Sequence, residues 1–338
     1  MIVDRYYYSQ LNKREKIIYR AFYDGVKLHK DIIPLPVKGT VSEKTFHRVF
    51  MALTRDNPLI YYLNQSACNM ATDALGHVAI CPQYFFSKQK VKEYNRKIEN
   101  AVNSLVVQLR LTEGSDYDKA VKVHDWLCLN VEYDMKGKDM NEVVRVIASH
   151  NIIGVFAHHR AQCEGIAKAA KVLLNSVDVR CIVATGMAKS TRENGPHAWN
   201  IVNLENSPYH MDVTWDLGMS DKSQNSISYD YFNVSDELIG ADHRAEDELP
   251  ACNSMELNYF AENNLVFDSW SNVNEYVIQE LKKGKKELYF RFAGKRKEDM
   301  TSNIIQLMKN KIQERETKQI RLKHRENKVI GTYWIKMC

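Results

Sequence analysis

The stretch AQCEGIAKAAKVLL, residues 161–174, decides how this chain is read. From Ile166 the apolar residues fall at Ile166, Ala169, Ala170, Leu173 and Leu174. That is the i, i+3, i+4, i+7, i+8 stripe of a helix packed on a core. Cys163 therefore stands in or just before the first turn. There the unpaired N–H groups and the positive end of the helix dipole favour an anion, and a thiolate is an anion. Helix N-termini are one setting that lowers a cysteine pKa from about 8.5 into roughly the 3.5–7.5 range. A cysteine in an apolar helix is otherwise a small buried hydrophobe. A functional reading needs a base within reach.

Two downstream segments supply one. HAWNIVNL (197–204) and YHMDVTW (209–215) flank the turn-like ENSP (205–208) and read as paired strands. A hairpin loop with an even number of residues puts His197 and Asp212 on the same face. A carboxylate beside an imidazole fixes its tautomer and stabilises its charged form. With the cysteine helix placed against that face, Cys163, His197 and Asp212 become nucleophile, base and orienter. The backbone N–H of Cys163 is positioned to donate to a tetrahedral oxyanion. Singly, each residue has a plain structural explanation; the ordered set carries the information.

The rest of the chain sets the frame. Its 338 residues, 44% apolar and 26% charged, are ordinary for a globular protein. The N-terminus reads as no secretory signal, and no apolar run approaches the 18 or so residues of a membrane span. Seven cysteines without CxxC spacing fit neither a disulfide framework nor a zinc ribbon. A cytoplasmic protein, with no membrane partner and no cofactor or metal, is expected. Residues 281–338 carry 17 Lys/Arg against 6 Asp/Glu, a net of +11, which leaves about −6 on the remainder of a chain of formal charge +5. Those charges spread through a strand–helix–strand pattern (ELYFRF, NIIQLMKNKIQ, VIGTYWI), as on a solvated face, so nucleic acid is not the expected partner.

Helical spacing runs over 11–28, 43–56 (capped by Ser42) and 88–109. Ser115 with Asp118 forms a capping box for a further helix. Helix followed by consecutive strands predicts an α+β fold rather than alternating βαβ units. The organisation expected is a mostly helical region at 1–112, a catalytic core at 113–250 and a small basic αβ segment at 270–338.

The segments NVEYD (130–134), RAQCEGIAKAAKVLL (160–174), GPHAWNIVNL (195–204) and YHMDVTWD (209–216) resemble the transglutaminase-like superfamily. Residues 228–243, SYDYFNVSDELIGADH, are similar to the segment just C-terminal to the site in bacterial members with a helical N-terminal extension. The resemblance implies a papain-like or transglutaminase-like core, with the nucleophile helix packed on an antiparallel sheet. It also implies a Cys163–His197–Asp212 triad, Gly165 where helix and substrate channel approach closely, and Trp199 and Trp215 as aromatics flanking His and Asp. Gln162 takes the place of a Gln before the nucleophile and joins the substrate-binding candidates. Ile166 departs from the family's aromatic after that glycine. The implied activity is thiol-dependent acyl transfer, first as hydrolysis of an amide or peptide bond in a protein or peptide. Cross-linking of glutamine to amines ranks second, and a non-catalytic scaffold third. No EF-hand-type acidic loop is present, and a zinc site from the adjacent His158 and His159 with Cys163 is disfavoured by their divergent directions.

Overall fold

The computed structural model describes residues 4–136, 143–189, 194–295, 300–313 and 321–337. The chain begins with α1 (Tyr6–Ser9), α2 (Lys13–Lys27), β1 (Ile33–Pro34), α3 (Glu43–Asp56), β2 (Asn69–Thr72), β3 (Val78–Cys81) and α4 (Lys88–Gln108). The helix starts follow their caps. Asn12 and Glu15 form a capping box for α2, and the Ser42 and Ser87 hydroxyls accept the third N–H of α3 and α4. A small sheet of order β1-β3-β2 interrupts the helices.

The middle of the chain holds α5 (Asp116–Asn130), β4 (Glu132–Tyr133), α6 (Val143–Ser149), α7 (Ile152–His158), β5 (Arg160–Ala161) and α8 (Cys163–Ser176). Next come β6 (Arg180–Lys189), β7 (Asn194–Leu204), β8 (Ser207–Met211), α9 (Val213–Met219), β9 (Phe232–Val234), α10 (Asp236–Ile239) and β10 (His243–Ala245). The Ser115–Asp118 capping box opens α5 as expected. An antiparallel sheet of order β10-β6-β7-β8-β9 forms the centre, with α8 packed on β6 and β7 and covered by α5 and α7. The mixed helix and antiparallel-sheet architecture is the α+β class read from the sequence. Buried residues of α2, α3 and α4 join those of α5, α7 and α8 in one apolar cluster, so the N-terminal helices share the central core.

The end of the chain comprises α11 (Tyr259–Glu262), β11 (Val266–Phe267), α12 (Trp270–Lys282), β12 (Glu287–Phe292), α13 (Met300–Gln313), β13 (Leu322–Asn327) and β14 (Thr332–Met337). Their sheet has the order β11-β12-β14-β13 and its own apolar cluster around Val277, Phe290, Ile304 and Tyr333. The sequence pattern missed α12 and β13. In β13 (LKHREN) charged residues crowd the strand. Helix α12 carries its apolar residues Val273, Val277 and Leu281 at helical spacing, but it follows directly on an irregular segment that read as a linker. Among the described residues no helix is long and apolar enough to cross a membrane.

The β7–β8 hairpin fixes the site. Leu204 pairs with Ser207 across a two-residue turn, Glu205-Asn206, with φ of 49° and 67°. Two positive φ values define the type I′ turn that matches strand twist. The loop length is even, and the pairing register puts His197, Trp199 and the position of Asp212 on one face. Two expectations need correction. Strand β8 ends at Met211, and Asp212 caps α9, its Oδ1 accepting from Thr214 N (2.9 Å) and Trp215 N (3.2 Å). Helix α8 lies on the opposite face of β7, where Asn200 Nδ2 donates to Ala167 O at 2.9 Å. The other face, with Ile182, Ala184, Trp199 and Ile201, is covered by Tyr231, Val234 and Ile239, so α8 takes the Val183–Ala198–Asn200 side.

Candidate active site

Cys163 is the first residue of α8, with Gln162 at the N-cap in extended conformation. Its half-buried side chain packs on Ala167, Val183 and Ala198, and so sits beside His197 at the outer end of β7. The thiol is in hydrogen-bonding reach of the His197 ring. On the ring's other side Nε2 donates to Asp212 Oδ2 at 2.7 Å, which leaves Nδ1 for the thiol. Asp212 is fully buried, and His197 is nearly so.

The electrostatics follow from that burial. Removal from water opposes charge on His197, but Asp212, together with Cys163, more than offsets it and raises the imidazole to about 10. Asp212 is held well below the usual carboxylate range. Burial opposes this, and the two histidines that donate to it outweigh burial. Glu164, next to Cys163, is half-buried. Lys168 at 2.7 Å and His150 at 3.4 Å meet its charge and draw it down to about 2 against the cost of burial.

The remaining expected site residues divide. Trp215 lies 5.9 Å from the His197 ring and stays partly accessible. Trp199 is 1% exposed, stacks near His197 at 6.2 Å and donates Nε1–H to His210 Nδ1 at 3.0 Å. It packs the interior behind the site and is closed to substrate. Gln162 is likewise buried, and its Nε2 donates to the carbonyl of Asp134 at 3.1 Å. Gly165 faces a different neighbour from the one expected. A Cβ there would stand 2.4 Å from Ser149 O and 3.0 Å from Asn151 O, so the close approach is to the α6–α7 corner. His158 ends α7 and His159 caps it in the left-handed region; both are exposed.

Sequence reasoning missed three buried groups. His243 Nε2 lies 3.0 Å from the same Asp212 oxygen that His197 contacts. Asp134, within the NVEYD segment, binds Arg145 and the Ser149 hydroxyl and braces the chain that Gln162 holds. His124 lies between Asp216 (3.2 Å) and Asp125 (3.1 Å), anchoring α9 one turn beyond Asp212. The only signal for His243 was its place in the DH pair at the end of the segment 228–243; nothing local distinguishes it.

Among the described residues, two groups of side chains bring three ligand-type atoms within 4.8 Å of one another: His197, Asp212, His243 and His210, Asp236, Cys252. Hydrogen bonds account for both. In the second, the Trp199 N–H occupies His210 Nδ1, and Nε2 donates to Asp236 at 2.7 Å, which leaves that ring no free lone pair. In the first, both Nε2 atoms donate to Asp212.

Residues 103–213 match the family described as the transglutaminase-like superfamily, and they contain Cys163, His197 and Asp212. Residues 103–213 thus carry a transglutaminase-like domain. Kyphoscoliosis peptidase from Mus musculus is 22% identical over 154 residues, covering 43% of this chain. The Homo sapiens protein of that name is 21% identical over the same length. The match spans 23% of the length of either relative. The crystal structure of a TGase aligns over 54% of this chain and 50% of its own, with 13% identity and a TM-score of 0.31.

Proposed function

We propose that this chain is a thiol-dependent acyl-transfer enzyme that hydrolyses an amide or peptide bond in a protein or peptide. Cys163 is the nucleophile, His197 the proton carrier and Asp212 the orienter. The observation that carries the reading is the 2.7 Å bond from His197 Nε2 to a fully buried Asp212, on a ring that also interacts with the Cys163 thiol. The match of residues 103–213 to the transglutaminase-like superfamily supports it.

The steps follow from the geometry. His197 holds the thiol proton, and the sulfur attacks the substrate carbonyl carbon. The oxygen's growing charge falls where α8 begins. There the Cys163 backbone N–H has no acceptor within the helix. His197 passes its proton to the leaving nitrogen, the C–N bond breaks, and a thioester remains. Water then attacks the thioester while His197 takes its proton, and the Cys163 sulfur departs with the acid product released. Trp215 remains a wall of this site; Trp199 and Gln162 support it from behind.

Iodoacetamide labelling at pH 6, read by peptide mass spectrometry, tests the assignment. Cys163 is expected to react at least about tenfold faster than the other cysteines and to lose that advantage in His197→Ala. Burial pushes the Cys68 and Cys181 thiols up to about 12, which makes them internal controls. Equal labelling of all cysteines would remove the enzyme reading. Acyl-donor peptides with and without a primary amine then separate hydrolysis from cross-linking.

A further inference from the structure

Asp212 serves two histidines. Its Oδ1 is filled by the N–H groups of Thr214 and Trp215, and Oδ2 accepts from His197 Nε2 at 2.7 Å and from His243 Nε2 at 3.0 Å. The other nitrogen of His243 lies 2.6 Å from Asp242 Oδ1, and the Tyr231 hydroxyl donates to the second Asp242 oxygen. An ionised carboxylate only accepts, so a histidine nitrogen that faces one carries a proton. A ring protonated on both nitrogens is a cation. Its surroundings suit a cation: the Trp215 and Trp199 rings lie 4.4 Å and 5.1 Å away. Burial opposes the charge, and Asp212 and Asp242 outweigh it, so His243 titrates above the usual histidine range.

We propose that His243 is a positioning residue of the Cys163–His197–Asp212 site. It locks Asp212 in line with His197 and, as an imidazolium, takes up part of the carboxylate's charge that His197 would otherwise receive whole. The proposal rests on the acyl-transfer reading above. A base that accepts the thiol proton must later deliver it to the leaving nitrogen. A buried carboxylate acting on His197 alone would bind that proton too firmly; a second cation on the same oxygen loosens it.

On β6 the direct partner of His243 is Ala188. The charged and titratable groups facing His243 come from several of the elements around it. They are Asp212 at the start of α9, His197 on β7, Asp242 beside it in the chain and Tyr231 ahead of β9. Across a cavity of about 220 Å³ that His243 also lines stand His210 on β8, Asp236 on α10 and Asp247. His210 is neutral, because its Nδ1 accepts the Trp199 N–H; Asp236 is bound to His210, and Asp247 is paired with Arg55. None of the three supplies a cation that would replace His243.

The test is the rate of Cys163 alkylation by iodoacetate against pH. This anionic reagent is drawn to an imidazolium, so a thiolate–imidazolium pair gives a bell whose upper limb marks proton loss from His197. His243→Gln keeps a donor to Asp212 and removes the charge. Its upper limb is expected to move up by about one pH unit. On that limb it then reacts up to about tenfold faster than the wild type. Asp242→Asn removes one charged acceptor of His243 and is expected to shift the limb the same way by less. A merely structural role would scale the rate equally at all pH values and leave the limb in place; that result overturns the proposal. If circular dichroism finds His243→Gln unfolded, Asp242→Asn decides on the same criterion. Failure of the acyl-transfer reading looks different: the wild type itself then gives no bell, and His197→Ala reacts as it does.

Discussion

Asp212 is where the residue scale matters most, because one buried carboxylate accepts four hydrogen bonds and no water replaces any that is lost. Asp212→Asn leaves one face of the amide donating toward histidine N–H groups. Its acyl-transfer rate on a thioester or peptide donor is expected to fall at least about 100-fold, measured against wild type at equal folded concentration. The pair also predicts a pH window. His197 is raised in the folded chain, so its contribution is full below its unfolded value near 6.5 and is lost as pH climbs toward about 10. Asp212 is depressed, so its share is full above about pH 4 and is lost on acidification. The stability gap between wild type and His197→Gln should therefore peak between about pH 4 and 6.5 and shrink on either side. Urea titrations across pH 3–10 measure it; a gap that grows toward pH 10 contradicts the pairing. Cysteine, histidine and carboxylate were legible in the sequence because their order and spacing are local to a helix start and a hairpin. His243 was not: it meets Asp212 from 31 residues away, by tertiary contact alone.

At the scale of elements, the hairpin and α8 carry the precision. Glu205 occupies the left-handed region at φ 49° without the local hydrogen-bonding advantage of Asn or the freedom of Gly. Glu205→Asn is expected to stabilise the protein by about 0.5–1 kcal/mol in thermal or chemical unfolding. Gly165→Ala acts in the opposite sense, because the new methyl meets the Ser149 carbonyl at 2.4 Å and the backbone must shift. A loss of about 1–3 kcal/mol is expected, with displacement of α8 that slows Cys163 alkylation as well. Caps and periodicity announced α2, α3, α4, α5 and α8 correctly, since those signals act within a few residues. They did not announce that Lys171, on the same helix as Cys163, would be buried with its ammonium donating to the carbonyls of Asp4 and Cys181 at 2.8 Å. Those acceptors exist only once the chain has folded.

Across the whole molecule, the C-terminal sheet is fastened to the central core by a buried carboxylate. Asp230 accepts from the Tyr289 hydroxyl, Thr332 Oγ1 (2.6 Å) and Asn327 Nδ2 (3.0 Å), which lie on β12, β14 and β13. Arg325 adds a bond to the Met219 carbonyl at the end of α9. Asp230→Ala strands three donors in a site that is closed to solvent. A loss of about 3 kcal/mol and a melting temperature lower by roughly 5–10 °C are expected by calorimetry. Trp126 and Trp215 in the central core report whether it loosens with the C-terminal part or alone. The basic character of residues 281–338 thus coexists with specific buried pairing to the core's own acids.

The sequence by itself determined the helix that presents Cys163, the hairpin parity that aligns His197 with Asp212, and the α+β class. Each depends on contacts within a few residues or on a period that side chains impose locally. Tertiary structure decided the rest. It set which face of β7 receives α8 and turned Asp212 from a strand residue into a helix cap. It closed Trp199 and Gln162 away from solvent and brought His243 onto the carboxylate. Those outcomes depend on burial and on hydrogen-bond partners distant in the chain, and the cost of leaving a buried polar group unpaired selects one arrangement among many that the local pattern permits.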